Sequence, residues 1–220
     1  MNVMVDRILY DVSNPDFAIL ISVLDKQQDV HIPETITGKP VTQIAKYAFQ
    51  SNSVLHTICL PNSISIIDES AFLNCESLEN VSFYPTRNQA RMLNIRKNAF
   101  ARCRKLTMLL TKLECQINCE SQAFSKCISL EAIHGQLNIL QGKCFEQCVL
   151  LDNLFFAENA LWRTDSFQGC DSLMHLTFYG DVEESLSNTC MKWLINKKVK
   201  CRRNSSLVGL VHFGTNVTVV

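Results

Sequence analysis

Apolar residues recur along the chain in units of 21 to 28 residues. A representative unit runs from Ala71 to Val81 and reads Ala-Phe-x-x-Cys-x-x-Leu-x-x-Val. A unit of this length can bury its apolar side chains only against neighbouring units, so a period in the twenties predicts a solenoid. Six phenylalanines mark the successive copies: Phe49, Phe72, Phe100, Phe124, Phe145 and Phe167.

Each unit contains the signals for one short strand and a return path. Leu55 to Leu60 alternates apolar and polar residues about its centre, which is the period of a strand. Pro61 to Ser63 predicts a turn, after which Ile64 and Ile67 supply inward side chains. Glu69 to Asn74 is predicted to form one helical turn with its alanine and phenylalanine facing inward. The expected fold class is an α/β repeat whose strands stack in parallel on one curved face.

These same residues carry a family resemblance. The segments Ile44–Phe49, Leu60–Ser63 and Ala71–Cys75 closely resemble BspA-type leucine-rich repeats, the leucine-rich repeat 5 class, and the resemblance extends from about Ile32 to Phe178. It implies a right-handed leucine-rich-repeat solenoid of about six coils, with short parallel strands on the curved face and a cap at each end. Members of the family are often bacterial or protist surface proteins that adhere to host proteins or to other cells.

One continuous domain with three sections is expected. Residues 1–43 should form an N-terminal cap with lead-in strands, because the first coil of a solenoid has no neighbour to cover its core. Residues 44–180 should form the solenoid, and residues 181–220 a C-terminal cap. In that cap an apolar stripe predicts a helix that closes the last coil or, alternatively, docks a partner. The stripe comprises Val182, Leu186, Cys190 and Trp193, and strands are expected at Val199–Cys201, Leu207–Phe213 and Val217–Val220.

The chain has eleven cysteines. Five of them occupy the repeat position three residues after the phenylalanine, where a small apolar side chain would stack from coil to coil. The odd total and the regular spacing favour reduced, packed thiols over a disulfide framework. The five are Cys75, Cys103, Cys127, Cys148 and Cys170.

Charge is balanced overall but unevenly placed. Lys+Arg and Asp+Glu both number 21, so the net charge is zero, which does not favour a nucleic-acid binder. The segment from Arg87 to Lys112 holds basic residues and no acidic ones, and could bind an acidic ligand. Alternatively, it is a solvated face whose counter-charges lie on adjacent coils. The candidate basic patch is Arg87, Arg91, Arg96, Lys97, Arg102 and Arg104, and a second cluster is Lys197, Lys198, Lys200, Arg202 and Arg203.

If the strands stack, the positions beside each central apolar residue form outward ladders. Three are predicted: Thr57, Asn80, Met108, Ala132, Asn153 and His175; Cys59, Ser82, Leu110, His134, Phe155 and Thr177; and Pro61, Tyr84, Lys112, Gln136, Ala157 and Tyr179. An apolar patch rimmed by polar groups indicates a partner site, and aromatic side chains are favoured anchors. Alternatively, another segment covers this face, or the register differs in the irregular third and fifth copies. The candidate site is Met108, Leu110 and Phe155, with Tyr84, His134 and Tyr179 around them.

Signals for catalysis are poor. The five histidines are scattered, and no pair has the helical spacing of a metal site. The sequence also has no glycine-rich phosphate loop. We therefore expect no enzymatic activity, no cofactor and no metal site.

The expected function is a monomeric protein-binding module that acts in adhesion at a cell surface, as the resemblance implies. An intracellular scaffold or effector is the alternative, and binding of an acidic ligand through the basic patch is a third hypothesis. Met1 to Asp6 lacks a basic region followed by an apolar stretch, and no apolar run approaches about 18 residues, so neither a signal peptide nor a membrane span is predicted. The sequence on its own therefore favours the cytoplasm.

Overall fold

Each repeat contributes two short strands, and strands of successive repeats pair in parallel. The computed structural model describes residues 1–25, 27–84, 92–180, 194, 197–201 and 216–219. Over these residues the chain is a β-solenoid of about seven turns. Its strands are β1 (Asn2–Val5), β2 (Ile8–Asp11), β3 (Ala18–Val23), β4 (Asp29–His31), β5 (Thr35–Ile36), β6 (Lys39–Ile44), β7 (Thr57–Leu60), β8 (Ile66–Ile67), β9 (Asn80–Phe83), β10 (Met92–Ile95), β11 (Met108–Leu110), β12 (Gln116–Cys119), β13 (Ala132–His134), β14 (Gln136–Leu140), β15 (Asn153–Leu161), β16 (His175–Phe178), β17 (Lys198–Cys201) and β18 (Asn216–Val219).

The strands form two stacks with the core between them. The first strand stack runs β4, β7, β9, β11, β13, β15, β16, β17 and β18, all paired in parallel. The second strand stack runs β3, β6, β8, β10, β12, β14 and the later part of β15, also in parallel. At the N-terminal end, β1 and β2 pair antiparallel with each other, and β2 pairs antiparallel with β3.

Strand registers confirm the first predicted ladder. Thr57 pairs with Asn80, Asn80 with Met108, and Met108 with Ala132, and the series continues through Asn153 to His175. The central residues between the outward positions, such as Ile58 and Leu109, are at most 1% exposed. In the second ladder, the register pairs Cys59 with Ser82, Ser82 with Leu110, Leu110 with His134, and Phe155 with Thr177.

The third predicted ladder is wrong. Pro61 and Ala157 are buried, and Gln136 lies in β14 of the second strand stack, where it pairs with Gln116. For Gln136 the physical reason is an early corner at Gly135, which turns the chain directly after β13. Residues beyond this corner therefore belong to the other side of the solenoid.

Six phenylalanine rings form a continuous stack along the turn that links the second strand stack to the first. Neighbouring ring centroids lie 4.7 to 5.9 Å apart, and the ring planes differ by 4° to 11°. Backbone hydrogen bonds run beside the rings, as where Phe49 N–H donates to the Ala71 carbonyl at 2.8 Å. Each coil is thus joined to the next by ring contact and by a backbone hydrogen bond.

The predicted helical turn at Glu69 to Asn74 does not form, and the α/β expectation is wrong for the described residues. Ser70 and Asn74 have left-handed backbones, with φ of 56° and 60°, which interrupt any run of helical dihedrals. The same two positions recur in later coils, for example at Gln122 and Lys126. Apart from Leu194, whose sequence neighbours lie outside the described residues, the helix in the described chain is a four-residue 3-10 helix at Thr164–Phe167. No helix in that part of the chain has the length and hydropathy of a membrane span.

The five repeat cysteines are buried, free thiols that link adjacent coils. Cys75 Sγ donates to the carbonyl of Phe49 at 2.9 Å, and Cys103 Sγ donates to that of Phe72 at 3.1 Å. Cys127, Cys148 and Cys170 repeat the contact at 3.0, 3.1 and 3.0 Å. Each thiol therefore donates a hydrogen bond to the backbone carbonyl of the phenylalanine in the preceding coil. A purely apolar side chain of similar size could not do so.

Gly135→Ala is expected to destabilise the protein by about 2–3 kcal/mol. An added Cβ would meet Ile117 Cδ1 and Thr111 Oγ1, both at 2.6 Å, and φ is +149°. Gly38→Ala is the matched control, because Gly38 also has a positive φ, of +80°, but no atom lies within 4 Å of the added carbon. Urea unfolding would measure both, and equal losses would show that crowding at the Gly135 corner is unimportant.

Beyond residue 180, parallel pairing continues through β17 and β18. The predicted helix stripe and the predicted strand Leu207–Phe213 lie outside the described residues. Leu194, near the end of that predicted helix, is fully buried. The section boundaries at residues 43 and 180 stay predictions.

Candidate functional site

Four of the predicted site residues come together on consecutive coils of the first strand stack. Met108 and Leu110 flank the buried Leu109 on β11 and are half-buried. His134 on β13 is exposed, and Phe155 on β15 is half-buried. These side chains occupy outward positions because alternate residues of a strand point to opposite faces.

The two tyrosines of the predicted site lie in different surroundings. Tyr179 follows β16 and stacks on Phe155, with ring centroids 6.2 Å apart and an angle of 24° between the planes. Burial, with nearby Glu114, raises the pKa of Tyr179. Tyr84 follows β9, and its N–H donates to the carbonyl of Leu60 at 2.9 Å. Its pKa is also raised by burial. Tyr179 is therefore in direct contact with Phe155, whereas the backbone of Tyr84 is hydrogen-bonded to Leu60 of the preceding coil.

The sequence analysis did not predict that the outward ladders continue into Lys198 and Lys200. Lys198 pairs with His175, and Lys200 pairs with Thr177, so both lysines take outward positions around the buried Val199. Next to them, His175 Nδ1 lies 2.9 and 3.0 Å from the two carboxylate oxygens of Asp152. The alternation of polar and apolar residues in Lys-Val-Lys was the available signal, because it matches the strand centres of the earlier repeats.

The described part of the predicted basic patch lies away from the outward ladders of the first strand stack. Arg96 and Lys97 follow β10, and Arg102 and Arg104 lie on the turn that carries the phenylalanine stack. Arg96 is 3.5 Å from Glu120, and Arg104 is 3.8 Å from Glu76, each acid on an adjacent coil. These contacts match the alternative of a solvated face with neighbouring counter-charges. Arg87 and Arg91 lie outside the described residues.

Arg102 also lines a shallow polar groove of about 390 Å³ on this turn edge. Lys126 lies beside it on the next coil, and Ser125 Oγ donates to Glu146 at 3.1 Å in the same groove. Glu146 is also 3.5 Å from Lys143. The groove therefore mixes both signs of charge.

The thiols of the core are poorly suited to nucleophilic chemistry. Burial raises the pKa of Cys127 and Cys148, and raises that of Cys170 to about 12. A thiol needs to be a thiolate to attack or to bind a metal, so these groups are protonated and unreactive near neutral pH. Within the described ranges, no group of three or more His, Cys, Asp or Glu side chains is placed to hold a metal ion.

Two parallel strand stacks, joined by a turn with stacked phenylalanines and a buried leucine in every coil, define a leucine-rich-repeat β-solenoid. The chain belongs to the BspA-type leucine-rich-repeat family. The family described as "BspA type Leucine rich repeat region (6 copies)" matches residues 26–152 and 93–203. No curated protein matches the chain in sequence.

Solved structures support the same fold. A leucine-rich repeat protein from T. pallidum is 20% identical, with a TM-score of 0.62 over 94% of this chain and 100% of that chain. A leucine-rich repeat protein from Bacteroides ovatus is also 20% identical, with a TM-score of 0.52 over 92% of this chain and 66% of that chain. At these identities the likeness concerns the fold alone.

Proposed function

We propose that the protein is a non-enzymatic, monomeric binding module that holds a partner protein on the first strand stack. The observation that carries the proposal is that Met108 and Leu110 on β11 and Phe155 on β15, two strands further along, occupy outward positions of the same strand stack. Apolar and aromatic side chains surrounded by polar ones are typical of interface centres. Exposed His134 and the stacked Tyr179 extend the same group. The right-handed winding, the curvature and the capping ends implied by the family resemblance belong to this proposal.

The family resemblance favours adhesion to host proteins or to other cells as the setting of this binding. An intracellular scaffold or effector is the second candidate, and a specific observation supports it. Nine cysteines of the described residues are free thiols, which is the usual state in a reducing compartment. The basic patch supports a third function less well, because Arg96 and Arg104 have acidic neighbours.

The experiment compares partner capture by the wild type and by a Met108→Asp/Leu110→Asp/Phe155→Asp variant. We expect the variant to bind the captured partner at least about 30-fold more weakly, because central interface anchors each contribute about 2 kcal/mol or more. The matched control is Met92→Asp/Ile139→Asp/Leu161→Asp, which places the same charges on 42–45% exposed residues of the second strand stack.

Both variants must first match the wild type in circular dichroism and melting temperature. Retained binding by the first variant, or equal loss by both, would contradict the proposal. Comparing extracts of host cells with extracts of the source organism would assign the partner's compartment and so separate adhesin from scaffold.

A further inference from the structure

We propose that the C-terminal end of the first strand stack binds an acidic segment of the partner protein, beside the apolar side chains that anchor that partner. This inference rests on the proposed function and specifies the chemistry of the partner. Its basis is the ordered change of side-chain character along the two outward ladders.

One outward ladder begins at the acidic Asp29 and the other begins at His31, and both reach a lysine on β17. Asp29 lies on β4 at the start of the stack, where Thr57 Oγ1 donates to its carboxylate at 2.5 Å. The apolar residues lie on β11 to β15. Lys198 and Lys200 follow on β17, both exposed, one strand beyond His175. A partner with the complementary order of charge binds in one direction only, since the reversed orientation would place like charges together.

A cavity marks the basic end of the ladders. It encloses about 270 Å³ and includes Lys198, Lys200, His175 and Asn153 in its lining. Asp152, the acid nearest to His175, is engaged by that ring at 2.9 Å. The lysine ammonium groups are the positive charges of the lining, and the half-exposed carboxylate of Asp152 lies beside it.

One atom of the cavity lining needs a hydrogen-bond donor. Asn153 Oδ1 is shielded from solvent and has no hydrogen-bond partner within the described part of the chain. Leaving a buried polar atom unpaired costs about 1–3 kcal/mol. A peptide N–H would reach Asn153 only after the lining side chains move aside, so the main attraction of an acidic peptide is the carboxylates that it brings to the exposed lysines.

This combination favours a peptide over a nucleic acid. Surfaces that bind a phosphate backbone are usually broadly basic, whereas this chain has no net charge. Phe155, two strands from Lys200, also suits an apolar side chain, which a partner protein provides.

Strand geometry sets the expected spacing in the partner. Phe155 on β15 and Lys200 on β17 are two strand steps apart, which is about 10 Å at the usual strand separation. An extended chain advances about 3.3 Å per residue. The partner's carboxylates should therefore lie about three residues from its apolar anchor.

Selection of a phage-displayed random peptide library on the full chain tests the inference. We expect the selected peptides to combine an apolar residue with Asp or Glu about three residues away. Lys198→Glu/Lys200→Glu should weaken their binding about tenfold or more, and added salt should reduce this difference. Lys97→Glu/Lys105→Glu is the control, because it makes the same charge change at exposed positions off this face.

The outcomes separate this inference from the proposed function. If the peptides lose binding to the Met108→Asp/Leu110→Asp/Phe155→Asp variant but not to Lys198→Glu/Lys200→Glu, the inference of an acidic segment is contradicted. The same result supports the proposed binding on the first strand stack. If the peptides lose binding only to the lysine variant, the acidic-segment inference is supported and the proposed apolar anchor is contradicted. The absence of selected peptides, the absence of acidic enrichment, or stronger lysine-dependent binding to a single-stranded DNA oligonucleotide would each overturn the inference.

Discussion

Phe100→Ala is expected to lower the free energy of unfolding by about 3–5 kcal/mol. The ring is fully buried and stacks between Phe72, at 4.9 Å, and Phe124, at 5.1 Å. The coils of a solenoid are stabilised by their immediate neighbours. A cavity at Phe100 therefore weakens the contact between the coils before it and the coils after it. Unfolding should therefore also become less cooperative. Urea unfolding followed by circular dichroism measures both the free energy and the m-value.

Leu150→Ala is the control for this prediction. Leu150 is 48% exposed, so its truncation should cost less than about 0.5–1 kcal/mol. If the two substitutions cost the same, the phenylalanine stack is not a principal source of stability. If Phe100→Ala is costly but leaves the m-value unchanged, the coils are coupled mainly through the strand stacks.

Alkaline pH is expected to destabilise the protein through its buried thiols. Burial raises the pKa of Cys103, Cys127 and Cys148, and raises that of Cys170 to about 12. In the unfolded chain these thiols ionise near pH 8.5. Above that pH the folded state binds more protons than the unfolded state, so stability is fully present below about pH 8.5 and falls as pH rises. Each thiol contributes a loss of about 1.4 kcal/mol per pH unit in this range.

Urea unfolding at about pH 7, 8, 9 and 10 measures this slope. A Cys127→Ala/Cys148→Ala variant is expected to be less stable at neutral pH but to lose stability less steeply, because two of the ionising groups are gone. Tyr10 also has a pKa raised by burial, but the unfolded tyrosine ionises only near pH 10, so it contributes little below that pH. An unchanged slope in the variant would show that the thiols are not responsible.

The periodic part of the fold could be predicted from the sequence because one position type serves one structural role in every coil. The phenylalanine, the cysteine and the central strand residue recur at fixed spacings, so their stacking followed from the period. The backbone of the turn could not be predicted in this way. Its left-handed residues include Tyr47, Gln122 and Lys143, which carry none of the glycine or asparagine signature of that conformation. A helical turn was therefore expected where none forms.

The candidate site was only partly predictable. Met108, Leu110, His134 and Phe155 were found because they flank regular strand centres. The third ladder failed because the chain turns at Gly135, before the residue that was assigned to the first stack. Lys198 and Lys200 were recognised only as part of a basic cluster. Their place in the outward ladders was not predicted, because the alanine, phenylalanine and cysteine markers are lost in the C-terminal section and the register could not be carried forward.

Site-specific photo-cross-linking tests the central claim most directly. A benzophenone amino acid would be placed at Leu110, on the first strand stack, or at Ile139, which is 42% exposed on the second. Each protein would be irradiated in extracts of its native source and of host cells. The account predicts a specific cross-linked protein partner from position 110 and none from position 139. A partner captured only from position 139, or equally from both, would contradict binding on the first strand stack.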